Sequence, residues 1–282
     1  HGPAAPAHND PVPAAPPQHI VAANAAAADY LRILVPASRV ALLPEQVGEY
    51  SFLDFQSEGW ERVARFANYT AEPVLAARAD FVLTHAWQQP DTTNVLRAQN
   101  IPLLEIPSAS SWDDIAATLT RLGRVLHCEK AAQKEILRRG NVVDRLAREA
   151  KKRVPLSALV YSNDGNSGTT AGAHTTDDAM LRMIGVRNAA GGLEGHAQID
   201  FERLVVLDPD FVILSAPPQG QDRTPTLDVL EKTPALAKMR AVVQKHIVFL
   251  DDKLLSSDSP TLVDAADTLS LAIDDVLAGR KQ

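Results

Sequence analysis

The stretch THAWQQPDT, residues 84–92, combines residue types that bind flat conjugated molecules. Trp87 offers an aromatic face, and Gln88 and Gln89 place amide donors and acceptors beside it. An aromatic plane rimmed by amides suits a large flat molecule with polar or carboxylate edges. Because the polar neighbours and Pro90 disfavour deep burial, we expect Trp87 to line a binding site rather than the core.

Other polar and aromatic side chains follow predicted strands and helices, where ligands of open α/β sheets bind. They add phenol, hydroxyl, imidazole and ammonium groups to the candidate ligand site: Tyr50, Tyr69, Thr170, His174, His196 and Lys253. For each histidine, a hydrogen-bonded loop residue and a ligand contact are equally good interpretations. His85, His174 and His196 also leave open an axial ligand for haem iron.

Signatures of common enzymes are missing from the sequence. Gly165, Gly168 and Gly172 do not form GxGxxG, no GK[ST] follows them, and HExxH, GxSxG and CxxC do not occur. The acidic pairs in WDD, DDAM, LDD and IDD are expected to cap helices or face solvent. We therefore expect no catalytic residue, no metal ligand and no cofactor of its own. A two-domain metal-dependent enzyme or a sensor stays the alternative from another class.

Composition and charge argue against nucleic acid as a partner and against a membrane-spanning segment. The net charge of −7 gives no basic field for nucleic acid, and no run approaches the ~18–20 apolar residues of a membrane span. Residues 1–18, HGPAAPAHNDPVPAAPPQ, predict a disordered Pro/Ala-rich tether, typical of an exported protein after signal removal. Cys128 has no partner for an internal disulfide and is expected to be a buried small apolar residue.

The elements that must position these side chains occur in two series. Short apolar runs without alternation predict strands covered on both faces, with helices between them. The runs lie at 19–25, 39–43, 80–86 and 101–106, and then at 157–163, 210–216 and 246–252. This pattern indicates two α/β lobes, residues 19–127 and 155–282.

One phrase of the sequence occurs twice. EPVLAARADFVL (72–83) and ERLVVLDPDFVI (202–213) align without a gap, and each predicts a helix, a turn and a central strand. The matched residues include Glu72 and Glu202, Asp80 and Asp210, Phe81 and Phe211, and Val82 and Val212. The repeat indicates that the two lobes are related in structure.

The segment 128–154 is expected to join the lobes. Its apolar positions recur at steps of three, four or seven, which places them on one face of a single long helix. Gly140 lies on that face, where we expect it to allow close packing rather than to break the helix.

These features together resemble the periplasmic substrate-binding proteins that serve ABC importers of vitamin B12, ferric siderophores and haem. The similarity is carried by AEPVLAARADFVLTHAW, SSWDDIAATLTRLGRVL, YSNDGNSGTTAGAHTTDDAMLRMIGVRNAAGG, QIDFERLVVLDPDFVILS and the closing VFLDDKLL. It implies two Rossmann-like lobes bridged by one long α-helix, with a ligand cleft between the lobes. The chain departs from the family at HIVAANAAAADYL, where a Pro-containing turn is usual.

The resemblance also implies partners and a location. In that family one acidic residue on each lobe docks onto arginines of the membrane permease, and the equivalent residues here are Glu72 and Glu202. A role of these carboxylates at helix N-termini is the alternative. We expect a periplasmic monomer that delivers a small molecule to the permease of an ABC importer, with membrane tethering left open.

The choice among ligands rests on the loops. No arginine cluster suited to an anionic ferric catecholate is visible in them. Flat organic cofactors, namely pyrroloquinoline quinone or a corrinoid such as cobalamin, therefore rank first. A ferric siderophore ranks second and haem third.

Overall fold

The computed structural model describes residues 9–57, 59–165 and 167–280. The chain forms two compact units. Unit 1 comprises His1–Ser108 and Asp113–Arg138, and unit 2 comprises Ala109–Trp112 and Arg139–Gln282. The repeated phrases lie one in each unit, so the expectation of two α/β lobes is confirmed.

The described part of unit 1 has these strands: β1 (Ile20–Ala22), β2 (Val40–Pro44), β3 (Ala64–Phe66), β4 (Phe81–His85) and β5 (Leu103–Ile106). The first helices of the chain are α1 (Ala25–Leu34), α2 (Val47–Tyr50), α3 (Ala71–Ala76), α4 (Pro90–Ala98) and α5 (Trp112–Val125). Helix α6 (Glu129–Ala150) begins in unit 1 and ends in unit 2. Single turns of 3-10 helix occur at Ala37–Arg39, Trp60–Arg62 and Leu236–Lys238.

The described part of unit 2 has these strands: β6 (Ser157–Asn163), β7 (Gly168–Ala171), β8 (Arg187–Asn188), β9 (His196–Ile199), β10 (Phe211–Ser215) and β11 (Ile247–Leu250). Its helices are α7 (Thr176–Met183), α8 (Phe201–Leu207), α9 (Pro225–Lys232), α10 (Arg240–Val243) and α11 (Thr261–Leu277). None of the described helices combines the length and apolar character needed to cross a bilayer.

The sheet of unit 1 is parallel throughout, in the order β3-β2-β1-β4-β5. The chain winds outward from β1 in one direction through β2 and β3 and in the other through β4 and β5. Phe81, Val82 and Leu83 of β4 are completely buried, as expected for a parallel strand covered on both faces. The carboxyl ends of β1 and β4 therefore form the switch point at which such sheets bind ligands.

Unit 2 repeats this arrangement and adds to it. Strands β11, β10, β6 and β8 are parallel, and the pair β6–β10 corresponds to β1–β4. Strands β7 and β9 extend the sheet beyond β6 in antiparallel fashion. The second unit thus carries an antiparallel extension that has no counterpart among the described strands of unit 1.

The repeated aspartates have the same structural role in both units. The Asp80 carboxylate accepts hydrogen bonds from the backbone amides of Gln18, at 2.7 Å, and His19, at 2.8 Å, just before β1. The Asp210 carboxylate accepts from the backbone amide of Ser157 at 2.8 Å and from its hydroxyl at 3.0 Å, where β6 begins. Each aspartate therefore joins the start of the central strand to the start of its neighbour.

All apolar runs predicted as strands are strands in the structure. Strands β3, β7, β8 and β9 were not predicted, because they are short and partly polar. Helix α1 was also missed. Asn24 caps it by accepting from the Ala27 amide at 2.8 Å, in the segment where the sequence departs from the family's usual Pro-containing turn.

The long helix is present but shorter than the predicted 128–154. Helix α6 has 22 residues, which gives it a length of about 33 Å. Gly140 does not interrupt it and packs against Trp112, since a Cβ there would lie 3.7 Å from the indole. Cys128 precedes the helix and is half-buried, and burial raises the pKa of its thiol to about 11.

The predicted tether needs correction. Residues 1–8 lie outside the described residues, but the remainder of 1–18 lies against unit 1. The Asp10 carboxylate pairs with Arg121 at 2.7 Å and Arg124 at 3.1 Å, and its side chain is only 3% exposed. Carbonyl oxygens of the same segment accept from Arg39 and contact the His127 ring. Residues 10–18 are therefore attached to unit 1 at Asp10, Pro13 and Pro17, although most of their side chains are exposed.

Replacing Asp10 by Asn tests this attachment. The hydrogen bond from Arg121 holds the pKa of Asp10 below its usual range, so the carboxylate stabilises the fold above the unfolded-state pKa of about 3.9. That stability is lost as the pH falls through the lower pKa of the folded state. We expect Asp10→Asn to unfold at lower urea than wild type near neutral pH, and the difference to shrink below about pH 4.

Urea unfolding of both proteins across this pH range is the measurement. Asp222→Asn is the matched control, because Asp222 is exposed and pairs with none of the described residues. A difference between Asp10→Asn and wild type that does not change with pH would contradict the assignment.

Candidate functional site

The loop after β4 is built on a polar clamp at the switch point of unit 1. The Gln88 side chain donates to the Ala23 carbonyl at 2.7 Å and accepts from the Asn24 amide at 2.6 Å. It also accepts from the Thr84 hydroxyl at 3.3 Å. The amide of Gln88 is thus used within the protein. The Gln88 side chain therefore holds the loop to the end of β1, and its contact with a ligand stays a prediction.

Trp87 projects from this clamped loop. Its side chain is 63% exposed, so the expectation that it is not a core residue is confirmed. The indole stacks on the ring of His85, with centroids 5.2 Å apart and planes at 26°. His85 itself is completely buried at the end of β4. An exposed aromatic plane is therefore held on a buried imidazole at the carboxyl edge of the sheet.

The two tyrosines proposed for the site differ. Tyr50 ends α2 and is 58% exposed, so its phenol is available to a ligand. Tyr69 is 3% exposed and packs in the core of unit 1, with its ring 6.2 Å from that of Phe66. Burial raises the pKa of the Tyr69 phenol. The prediction that Tyr69 contacts ligand is wrong, because its ring fills the space under α3 and α4.

Thr170 is also structural. It is 4% exposed on β7, and its hydroxyl donates to the Val160 carbonyl at 2.7 Å. The glycines beside it allow close strand approach: a Cβ at Gly168 would meet the Tyr161 ring and one at Gly172 the Leu193 carbonyl. The glycine-containing stretch around Thr170 is therefore a tightly packed strand. The prediction of a ligand-binding Thr170 is corrected.

The two histidines of unit 2 that were proposed for the site, His174 and His196, are both exposed. His174 adopts a φ of 61° just before α7, and its Nδ1 lies 2.7 Å from a Glu194 carboxylate oxygen. His196 begins β9, paired with Ala171 of β7. Both hypotheses for these residues, loop histidine and ligand contact, stay open, and His174 is in addition oriented by a carboxylate.

Lys253 lies in a loop that a buried acid holds in place. Asp177, in the first turn of α7, accepts from the backbone amide of Ser256 at 2.9 Å. Asp177 is 2% exposed, and this burial raises its pKa, while His196 acts in the opposite direction. The backbone amide of Lys253 donates to Asp251 at 2.8 Å. The ammonium group proposed for ligand binding therefore extends from a fixed loop.

A cavity of about 600 Å³ lies within unit 2 at the carboxyl end of β6. It has a mixed lining: Asn163, Gly165, Ser167, Gly168, Gln198, Ile199, Asp200, Phe201, Val229 and Thr233. None of the predicted ligand residues lines it. The sequence NDGNSG, residues 163–168, is typical of a loop and indicates one wall of the cavity. The sequence does not indicate the apolar wall, because α8 and α9 are distant from this loop in the chain.

The repeated glutamates occupy equivalent positions. Glu72 is the second residue of α3, and Glu202 is the second residue of α8. Both side chains are exposed, and neither forms an ion pair or hydrogen bond with any residue that the structure describes. The N-terminal cap of α8 is made by Asp200, which accepts from the Arg203 amide at 2.7 Å. Glu202 therefore does not make the capping hydrogen bond, although its place in the first turn of α8 is favourable for the helix dipole.

The acidic pairs serve local structure. Thr175 caps α7, and Asp178 accepts from the Asn188 side chain at 3.0 Å and pairs with Arg182. Across residues 9–57, 59–165 and 167–280, no group of three or more His, Cys, Asp or Glu side chains is arranged to hold a metal ion.

The arrangement of doubly wound units agrees with a comparison against known families. The family model described as "Periplasmic binding protein" matches residues 64–254, more than half of the chain. The chain belongs to this family. The expected resemblance is thereby confirmed at the level of the family.

Individual relatives are more distant. An uncharacterized ABC transporter substrate-binding lipoprotein of Bacillus subtilis (strain 168), YvrC, is 22% identical over 212 residues. That match covers 73% of this chain but 65% of the relative, which is less than two thirds of the relative's length.

Solved structures share the fold. The periplasmic heme-binding protein BhuT in complex with two hemes superposes with a TM-score of 0.79 at 22% identity, covering 92% of this chain and 98% of that one. The periplasmic vitamin B12 binding protein BtuF of Vibrio cholerae superposes with a TM-score of 0.73 at 15% identity, covering 93% and 98%. These similarities establish a common architecture.

Substitution of Gln88 tests the clamp under Trp87. Gln88→Ala leaves the Ala23 carbonyl and Asn24 side chain without their partner, so we expect it to lower the free energy of unfolding by about 1–3 kcal/mol. Gln88→Glu keeps the acceptor for Asn24 but turns a carboxylate oxygen toward the Ala23 carbonyl oxygen, so we expect a loss at least as large. Denaturant unfolding measures both. Acrylamide should also quench tryptophan fluorescence more strongly in Gln88→Ala, because the loop no longer holds the Trp87 indole in place. A free energy of unfolding equal to that of wild type would contradict the clamp.

Proposed function

We propose that this protein is the solute-binding component of an ABC importer and works outside the cytoplasmic membrane as a monomer. It takes up one small molecule and delivers it to the membrane permease. Its membership of the periplasmic binding protein family and its similarity to an ABC transporter substrate-binding lipoprotein support this function. Because that relative is a lipoprotein, attachment of this protein to the membrane by a lipid anchor is compatible with the proposal.

The observation that carries the ligand class is the exposed indole of Trp87 on the buried ring of His85. A rigid aromatic plane at the carboxyl edge of a parallel sheet is suited to stack on a flat conjugated molecule. Because the loop is clamped beforehand by Gln88, little ordering entropy is lost when a ligand binds. We therefore propose a large flat organic cofactor, such as pyrroloquinoline quinone or a corrinoid.

Haem or a ferric chelate is the second candidate, and one contact favours it. The Nδ1 atom of His174 lies 2.7 Å from a Glu194 oxygen, which leaves Nε2 directed away from the carboxylate. A carboxylate that orients a histidine in this way is common around metal-binding imidazoles. Tyr50, which is 58% exposed, is another side chain that could reach iron.

Delivery to the permease is assigned to Glu72 and Glu202. Both carboxylates are exposed, and neither is paired with a described residue, so their charge is available to a basic partner. Their equal positions in α3 and α8 support one role for both.

Replacing Trp87 tests the stacking. We expect Trp87→Ala to weaken ligand binding by about ten- to a hundredfold, and Trp87→Phe to weaken it less, because part of the aromatic face is kept. Thermal stability should stay near that of wild type, since the side chain is 63% exposed. Separate titrations with cyanocobalamin, pyrroloquinoline quinone, haemin and a ferric hydroxamate, followed by calorimetry, are the measurement.

Trp60→Phe serves as the control, because Trp60 is 9% exposed and belongs to the core. If the best probe binds Trp87→Ala as tightly as wild type, Trp87 is not a stacking residue. If haemin binds best and His174→Ala removes its absorption shift, the second candidate replaces the first.

Neutralising the repeated glutamates tests delivery. We expect Glu72→Gln combined with Glu202→Gln to leave ligand affinity unchanged and to reduce uptake of that ligand by cells, because an ionic contact to the permease is lost. Since exposed charges are screened by salt, the deficit should be largest at low ionic strength. The control pair is Glu45→Gln and Asp222→Asn, which are exposed acids outside α3 and α8. Reduced ligand affinity in either glutamate variant would assign that residue to the ligand site.

A further inference from the structure

The two helices that carry the repeated glutamates present matching faces. In α8, Val205 and Val206 follow Glu202 by three and four positions, so the three side chains lie next to each other on the helix surface. In α3, Leu75 and Ala76 stand in the same relation to Glu72. We call the first set the α8 face and the second the α3 face.

The register of the two helices is the same. Val74 in α3 and Leu204 in α8 occupy equivalent positions, and both are completely buried. Each helix is thus anchored by one apolar residue, and its acid and the two following apolar positions are turned outward. The internal repeat has kept an outward face as well as an inward one.

The α8 face is the more apolar of the two. Val206 is 76% exposed and Val205 37%, and Phe201, one turn before Val205, is 39% exposed. In the α3 face, Leu75 is 41% exposed and its neighbour is an alanine.

Helix propensity does not account for the exposed valines, and Val206, at 76% exposed, is mostly outside the core. A β-branched residue favours a helix less than Ala or Lys does, and an exposed side chain contributes little to the core. Adjacent exposed apolar side chains beside a charge are typical of a surface that another molecule covers.

The charge at the centre of the face indicates the kind of partner. A symmetric contact between two copies of this chain through the α8 face would bring Glu202 near its own copy, which like charges oppose. Glu202 pairs with none of the described residues, so it is free to receive a cation from a different protein.

We propose that the α8 and α3 faces each receive a permease surface on which a cationic side chain is bordered by apolar side chains. The α8 face buries the larger apolar area and contributes most of the affinity that does not depend on salt. This inference rests on the proposed delivery to a permease and adds that docking is apolar as well as ionic, and unequal between the units.

The internal repeat supplies matched variants for the test. Val205→Ser with Val206→Ser alters the α8 face, and Leu75→Ser with Ala76→Ser alters the α3 face. Leu271→Ser, at an apolar position that is 58% exposed on α11, is the control. Binding of each full-length variant to the permease–ATPase complex of the same host, held in lipid nanodiscs, is measured at low and high salt.

We expect the α8 variant to bind the permease–ATPase complex at least about tenfold more weakly than wild type does. The α3 variant should lose less affinity for the complex, because its apolar face is smaller. The affinity lost in the α8 variant should be the same at low and high salt. The affinity lost in Glu202→Gln should be smaller at high salt, because salt already screens the charge of Glu202 in wild type. Melting temperatures and ligand affinities should match wild type, because the altered side chains lie outside the core.

The outcomes separate the inference from the proposed function. If Glu202→Gln weakens binding and the α8 variant equals Leu271→Ser, the apolar docking face is refuted and delivery to the permease stands. If wild type does not bind the complex at either salt concentration, the proposed function fails as well. A dimer of wild type in sedimentation velocity that is lost in the α8 variant would assign the face to a second copy and overturn the proposal.

Discussion

An aspartate at the start of each central strand holds two neighbouring parallel strands in register, and the rest of each unit is arranged around this contact. Asp80 binds the amides that precede β1, and Asp210 binds the amide and hydroxyl of Ser157 at the start of β6. The amides bound in this way enter β1 and β6, which are the neighbours of β4 and β10, and the first residues of β4 and β10, Phe81 and Phe211, are completely buried. Each carboxylate therefore joins two strands at the edge of the sheet opposite to the candidate ligand residues.

This constraint determines where chemistry can occur. With the amino ends of the strands closed by aspartates, variable loops extend from the carboxyl ends. In unit 1 the loop after β4 is fixed by Gln88 and displays Trp87, so a rigid base carries an exposed group. Such preorganisation lowers the cost of binding, because the aromatic plane is in place before a ligand arrives.

The two units use one framework for different purposes. Unit 2 inserts β7 and β9 next to β6, and this antiparallel extension uses the hydroxyl of Thr170 and the space around Gly168 and Gly172 for strand packing. Its exposed groups include His174, His196 and the α8 face. A duplicated fold can thus keep its buried register while its loops and outward helix faces diverge.

The glutamates illustrate how exposure and repeat symmetry complement each other. Repeat symmetry alone is also compatible with a capping role for both acids. The structure assigns the capping hydrogen bond of α8 to Asp200 and leaves Glu202 exposed, so its carboxylate is available to a partner as well as favourable for the helix dipole. The same reasoning applies to Val206, whose exposure serves no packing within unit 2.

The sequence by itself determined the architecture: two related α/β units, their buried strands and the long helix. Buried parallel strands and amphipathic helices leave periodic apolar patterns that are local in the chain. Only the tertiary structure decided which candidate side chains are available. Gln88 is bound to Asn24, Thr170 to Val160 and Asp10 to Arg121, and each partner lies outside the local pattern. Tyr69 is buried by α3 and α4 together with Phe66, whereas Trp87 stays exposed. Residue type gives the chemistry that a side chain could do, but its burial and its hydrogen-bond partners depend on contacts between segments that the chain brings together only on folding.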